Sequence, residues 1–202
     1  MTRIAVVFYS SSGTNHAMAE ALAEGARAEG AEVRVRRVPE TAPREAVEGN
    51  DAWRRWVDEV APSVPEASLD DLEWADGLAF GTPTRYGNVA SQFQSFVDTT
   101  GGLWASGALA DKVATAFTSA QNPHGGLEAT LLSLYTTMFH WGCVVVTPGY
   151  TDDAVYAAGG NPYGTSHATG QEGAPPSEEV LAAARYQGGR LARTTARLHP
   201  RG

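Results

Sequence analysis

Short apolar runs alternate with stretches of helical periodicity along most of the chain, and few folds accommodate that alternation. Residues 3–8, "RIAVVF", form a continuous apolar run of the kind that fills a strand covered on both faces. Met18, Ala21, Leu22 and Gly25 follow at i, i+3, i+4 and i+7, one stripe of a helix. In "GAEVRVRRV", Val33 and Val35 alternate with arginines, as in a half-buried edge strand. These pieces make a β-α-β unit whose crossover should be right-handed. The alternation resumes with "GLAFGTP" (strand) and the stripe Val89, Phe93, Phe96 and Val97 (helix). It continues through "KVATAFTS" (strand), the stripe Leu127, Leu131, Leu134 and Met138 (helix) and "CVVVTPGY" (last strand). Ser177 is placed to N-cap a closing helix, with Glu178 and Glu179 in the turn where the helix dipole favours acids.

Five strands interleaved with helices predict one α/β domain over residues 1–202. The expected form is a doubly wound, five-stranded parallel sheet in the order 2-1-3-4-5 with helices on both faces. Two stretches interrupt it. Residues 42–68 lie among prolines, and Trp53, Trp56, Val57 and Val60 share one helical face there. This reads as an insertion with a short helix, too small for a core of its own. Residues 149–176 are rich in Gly, Asn and Pro and read as a long loop, which in a compact domain usually marks function or assembly.

Charge and cysteine usage narrow the partners. A formal net charge of −8 argues against nucleic acid, which needs phosphate-neutralising cations, and against an anionic membrane surface. The single cysteine, Cys143, lies in an apolar run and reads as a buried, inert thiol of a reducing compartment. The chain opens on no signal-peptide pattern, and no segment approaches the ~18 apolar residues of a membrane span. A soluble, cytoplasmic protein is therefore expected. The five histidines show no metal-ligand spacing with Cys143 or a carboxylate pair, so no metal is expected. No G-x-S-x-G elbow signals a hydrolase.

Ligands of such a sheet sit beyond the carboxyl ends of its strands. That directs attention to "SSSGTN" (10–15), "GTPTRYGN" (81–88) and "SAQNPHGG" (119–126). The first loop is neither a Walker loop, which needs a lysine after its glycine, nor the G-x-G-x-x-G dinucleotide fingerprint. It offers hydroxyls at Ser10 and Ser12, then Gly13, Thr14 and Asn15 opening a helix. Orphan N–H groups and the helix dipole favour an anion there. A nest without lysine suits a phosphate that is held and never transferred, because transfer requires cations at the transition state. Ser12 or Thr14 as an ordinary N-cap is the other reading of the same residues.

After the first strand of this kind of sheet, Ser10-Ser11-Ser12-Gly13-Thr14-Asn15 resembles the flavodoxin phosphate loop, which implies FMN. "RVPET" (37–41), "GTPTRYGN", "GGLWASGAL" (101–109), "PGY" (148–150), "PYG" (162–164) and "ARYQG" (184–188) extend the likeness nearly end to end. In that order they resemble the tryptophan-repressor-binding-protein family, NAD(P)H:quinone oxidoreductases of flavodoxin-like fold. The resemblance implies FMN as cofactor, NADH or NADPH as co-substrate, a quinone as acceptor, and a homo-tetramer or dimer with flavin sites at subunit junctions. It implies that Ser10 to Asn15, including Ser11 and Gly13, hold the phosphate. Pro83, Thr84, Arg85, Tyr86, Gly87 and Asn88 would line the flavin ring, and Ser119, Ala120, Gln121, Asn122 and Gly125 would wrap its other side. His140 would lie beside the flavin, and Trp104, with Tyr86 and His140, would wall the substrate pocket. No catalytic side chain is expected, since the flavin carries the chemistry.

Three places depart from the family pattern: Ser12 stands where an aromatic is common, Asn122 and Pro123 enlarge the third loop, and Trp141 follows His140. Two other roles remain open on sequence: a flavodoxin-type electron carrier, and a flavoprotein recruited to a natural-product quinone. A role as a transcription-factor partner finds no basic groove to support it.

Overall fold

A computed structural model describes residues 1–200. Its strands are β1 (Arg3–Phe8), β2 (Glu32–Arg37), β3 (Gly77–Arg85), β4 (Asn88–Val89), β5 (Val113–Ala120), β6 (Val144–Val145) and β7 (Ser166–Ala168). The sheet runs β2-β1-β3-β5-β6, with β4 antiparallel on the end of β3 and β7 parallel to β5. The helices are α1 (Thr14–Ala28), α2 (Arg44–Glu48), α3 (Asp51–Arg55), α4 (Leu69–Trp74), α5 (Ser91–Asp98), α6 (Gly101–Ala105), α7 (Leu127–His140), α8 (Asp153–Ala157) and α9 (Glu178–Leu198).

Side chains of a strand alternate between faces, and β1 divides accordingly. Ile4, Val6 and Phe8 pack with Met18 and Leu22 of α1 and Leu191 of α9. Ala5, Val7 and Tyr9 pack with Leu72 of α4, Phe93 of α5 and Leu131 of α7. On the edge strand β2, Arg34 and Arg36 both reach Asp71 Oδ1, at 3.1 and 3.0 Å, while Arg37 pairs with Glu66 at 2.9 Å. Asp71 in turn completes a capping box with Ser68 that starts α4.

The expected topology holds, and the fifth position is where the expected detail fails. "CVVVTPGY" supplies only Val144 and Val145 to the sheet, opposite Val113 and Ala114. The edge is completed twenty residues later by Ser166, His167 and Ala168, opposite Thr118, Ser119 and Ala120. The intervening chain, which carries α8, leaves because Pro148 has no N–H for the ladder and Gly149 turns at φ 58°. It returns at Gly164, whose missing side chain lets the backbone lie against the Ala116 carbonyl. Residues 149–176 are thus a split strand with a helix rather than a plain loop.

The insertion is also more ordered than one short helix. It holds α2 and then α3, which runs on through a π turn (Trp56–Val60) and a 3-10 turn (Ala61–Ser63). Ser177 occupies the N-cap position of α9, but its hydroxyl makes no capping bond; Glu178 pairs instead with Arg185 at 2.6 Å. Cys143 is only half-buried, and burial still pushes its thiol up to about 11. Among the described residues no helix is long and apolar enough to cross a membrane. Among them, too, no group of three or more His, Cys, Asp or Glu is placed to hold a metal ion.

Candidate functional site: three loops around one cleft

The loop after β1 turns on Gly13, which sits at φ 89° in the left-handed region and N-caps α1. Its N–H donates to Ser10 Oγ at 2.9 Å, and Ser12 and Thr14 hydroxyls lie 3.4 Å apart. The first turn of α1 therefore presents N–H groups lacking intrahelical partners, flanked by alcohols. Asn15 is buried, and its Nδ2 donates to Ser119 Oγ at 3.2 Å, joining the first loop to the end of β5. Its Oδ1 is buried with no partner among the described residues.

The loop is not free of cations, as the local sequence implies. Arg85, from the second loop, donates to Ser11 Oγ at 3.1 Å and to its neighbour Thr84's carbonyl at 3.0 Å. A guanidinium supplied from 74 positions away is invisible to any reading of residues 9–25.

Ser11, Ser12, Thr14, Pro83, Thr84, Arg85, Tyr86, Ser119, Ala120, Gln121, Asn122, Gly125 and Thr169 line one cavity of about 450 Å³. That volume lies within the range of small-molecule and cofactor sites. The remaining expected residues fall into three groups. Ser10, Gly13 and Asn15 shape the first loop from behind. Gly87 and Asn88 complete the second turn, where Asn88 Nδ2 donates to the Tyr86 carbonyl at 3.1 Å. Trp104 and His140 lie elsewhere.

The Trp104 indole donates to the His140 carbonyl at 3.0 Å, at the far end of α7 from the cavity. The fourteen residues of α7 span about 20 Å. Both side chains are exposed, and neither lines the cavity of its own chain. Trp104 also stands on a helical turn, α6, rather than a flexible loop.

Thr169 is the lining residue that sequence reasoning missed. Its N–H donates to the Ala120 carbonyl at 2.8 Å, a contact that exists only because the split strand returns to the β5 edge. The pairing of β7 could have been sought in the alternation of "SHAT", a weak signal.

The chain's residues fit FMN. A helix start ringed by alcohols, a partnerless buried amide oxygen behind it and a cavity that runs on to Pro83, Thr84, Arg85 and Tyr86 match a phosphate end, a polyol middle and a ring end.

The insertion backs the first loop. Trp56 is buried beside it, 5.1 Å from the His16 ring, and its Cε3 would stand 3.6 Å from a Cβ on Gly13. Burial lowers the pKa of His16. Glu40 ties the insertion down, accepting from Tyr9 Oη, Trp53 Nε1 and Gln92 Nε2, each at 2.7 Å. Burial works against the charged carboxylate, but these bonds and the Ala42 N–H hold its pKa below the ordinary carboxylate value of 4.5. A depressed folded-state pKa adds stability above the unfolded value and loses it as pH falls through the folded one. Wild-type stability should therefore drop more steeply below about pH 4.5 than that of Glu40→Gln, as read by denaturant titrations at each pH. Parallel profiles would remove Glu40 from that role.

A parallel, doubly wound sheet with a hydroxyl-rich loop after β1 and a cleft beyond its carboxyl edge defines a flavodoxin-like nucleotide-binding protein. Residues 2–154 match the NADPH-dependent FMN reductase family, and the chain belongs to it. It is 50% identical over 196 residues to the NAD(P)H dehydrogenase (quinone) of Deinococcus radiodurans, covering 97% of this chain and 96% of that one. It is 44% identical over 206 residues to the protein of the same description from Caulobacter vibrioides, covering 98% and 100%. Among solved structures it is similar to a flavodoxin, WrbA-like protein from Agrobacterium tumefaciens. The TM-score there is 0.69 at 27% identity, over 98% of this chain and 99% of that one. An archaeal flavodoxin shares the fold at a TM-score of 0.62 and 21% identity, over 96% and 99% of the two chains.

Proposed function

We propose that the chain is an FMN-dependent NAD(P)H:quinone oxidoreductase, as its relatives' descriptions read. The observation that carries this is the convergence of three loops on one cavity, cross-linked by Asn15 to Ser119 and by Arg85 to Ser11. Bound FMN would supply the redox chemistry, taking hydride from NADH or NADPH and passing two electrons to a quinone in ping-pong order.

The chain's own residues bind and orient. The α1 start with Ser11, Ser12 and Thr14 holds the phosphate. Asn15 completes that loop and ties it to Ser119. The backbone of Pro83 to Asn88 faces the pyrimidine edge, where amide dipoles and the Arg85 charge favour a reduced, anionic ring. Gln121, Asn122 and Thr169 close the opposite rim.

Trp104 and His140 reach a flavin only across a subunit junction, given the length of α7 between them and their own cavity. Leu132 and Phe139, 48% and 63% exposed on the same helix, supply apolar surface for such an assembly. A homo-tetramer or dimer of cytoplasmic location completes the reading.

The test is spectroscopic. The purified protein should carry oxidised-flavin bands that NADH or NADPH bleaches and benzoquinone restores. Trp104→Ala should keep those bands and lose about tenfold in quinone kcat/KM, the scale of one aromatic stacking contact. A colourless protein that takes up no FMN sinks the reading. Unchanged turnover removes Trp104 from the substrate pocket.

A further inference from the structure

We propose that Thr130 is a positioning residue for the second loop, acting through Thr84 to fix the turn whose backbone faces the flavin ring. The inference rests on the function proposed above only for what the turn is used for; the anchoring itself stands on geometry.

The turn is a strained one. Tyr86 holds φ 54° and Gly87 φ 80°, and the Tyr86 side chain is wholly exposed, so no packing of the phenol fixes it. A non-glycine residue in the left-handed region persists only where its surroundings over-determine it. What over-determines this one lies underneath. Thr84, whose side chain the family likeness assigns to the flavin, uses its hydroxyl inwards. Its Oγ1 accepts from the Gly87 N–H at 3.1 Å and from the Thr130 hydroxyl at 2.7 Å, and donates to the Gly125 carbonyl at 3.3 Å. One donor and two lone pairs are the full capacity of a hydroxyl, so Thr84 is saturated. Thr130 is fully buried on α7, and the Gly126 carbonyl lies 3.0 Å from its hydroxyl. The backbones also touch: a Cβ on Gly126 would stand 2.5 Å from the Gly87 Cα. The tip of the second loop is thereby seated on the first turn of α7, with Thr130 as the buried part of that seat outside the cavity lining.

A buried hydroxyl with only a packing duty would tolerate valine, which has the same shape. A positioning hydroxyl would not. Thr130→Val removes the donor, Thr130→Ser keeps it and removes the methyl, and Thr130→Ala removes both. Amide hydrogen exchange in the flavin-free protein reads the turn directly. Exchange of the amides of residues 85–88 should rise about tenfold in Val and Ala and stay near wild type in Ser, as loss of one buried hydrogen bond predicts. Exchange in the loop of residues 10–15 should not move in any of them. FMN affinity, measured on the same proteins, should fall about tenfold in Val and Ala alone. Should Val fail to fold, the Ser and Ala pair still isolates the hydroxyl.

The proposal is overturned if Val exchanges like wild type, if Ser behaves like Ala, or if both loops loosen together as general destabilisation requires. A wild-type protein with no affinity for FMN would instead strike the proposed function and leave the exchange result to judge Thr130.

Discussion

Gly13→Val is expected to lose at least about 100-fold in FMN affinity and to emerge from purification colourless. Two separate effects combine. The backbone at position 13 has φ 89°, where an L side chain is strained by roughly 1–3 kcal/mol and a β-branched one most of all. A Cβ alone has room, since the nearest atom, Trp56 Cε3, is 3.6 Å away. The two methyls of valine reach beyond that Cβ and crowd the opening of α1, where a phosphate would sit. The second effect is thus exclusion of the ligand from the helix start, where its favourable dipole and N–H groups lie. Gly13→Ala separates the two. It carries the strain without the exclusion, and should lose only about tenfold. Equilibrium dialysis of the flavin-free variants against FMN distinguishes these outcomes. An unimpaired FMN complement in Gly13→Val would mean that the phosphate is held somewhere other than the opening of α1.

That loop was legible because its determinants are local. A strand, a glycine and a helix start lie within a dozen residues, and their chemistry follows from backbone geometry alone. The sheet order was legible for a similar reason, since each buried strand is a single apolar run. What sequence could not give is contact between distant segments. The first loop looks uncharged until Arg85 arrives beside Ser11, and nothing near Thr84 in the sequence shows that Thr130 holds its hydroxyl. The split of the fifth strand was hidden for a different reason. Three residues, "SHA", form too short a run to show a period, and only their pairing with Thr118 to Ala120 identifies them as a strand. Trp104 and His140 share a hydrogen bond, but the distance of that pair from the cavity depends on which way α7 runs. No local pattern encodes that.

The largest stability effect should come from a residue far from the cleft. Gly25 closes the helical stripe of Met18, Ala21 and Leu22, and the structure explains why the stripe ends on a glycine. α1 crosses α9 with their backbones in contact: a Cβ on Gly25 would overlap the Arg185 carbonyl, and a Cβ on Gly188 would overlap the Leu22 carbonyl. Neither obstacle is the movable end of a side chain. The helices must separate instead, and α9 is anchored to the sheet through the buried Ala184 and Leu191. Overpacking of a close-packed interior costs typically 1–3 kcal/mol, and a clash between two main chains belongs at or beyond the upper end. Gly188→Ala should therefore lose about 3 kcal/mol or more, a fall in Tm of roughly 10 °C for a chain of this size. Gly102→Ala is the matched control. Position 102 lies in the short helix α6 with nothing within 4 Å of a new Cβ, so the same substitution should be neutral or stabilise by about 0.5–1 kcal/mol. The opposite signs come from contact alone, because residue type and helical setting are shared. α9 lines no part of the cavity, so Gly188→Ala at low temperature should still bind FMN with near-normal affinity. If its melting point instead matches that of Gly102→Ala, the two helices are not in backbone contact and the packing of α9 across α1 is wrong.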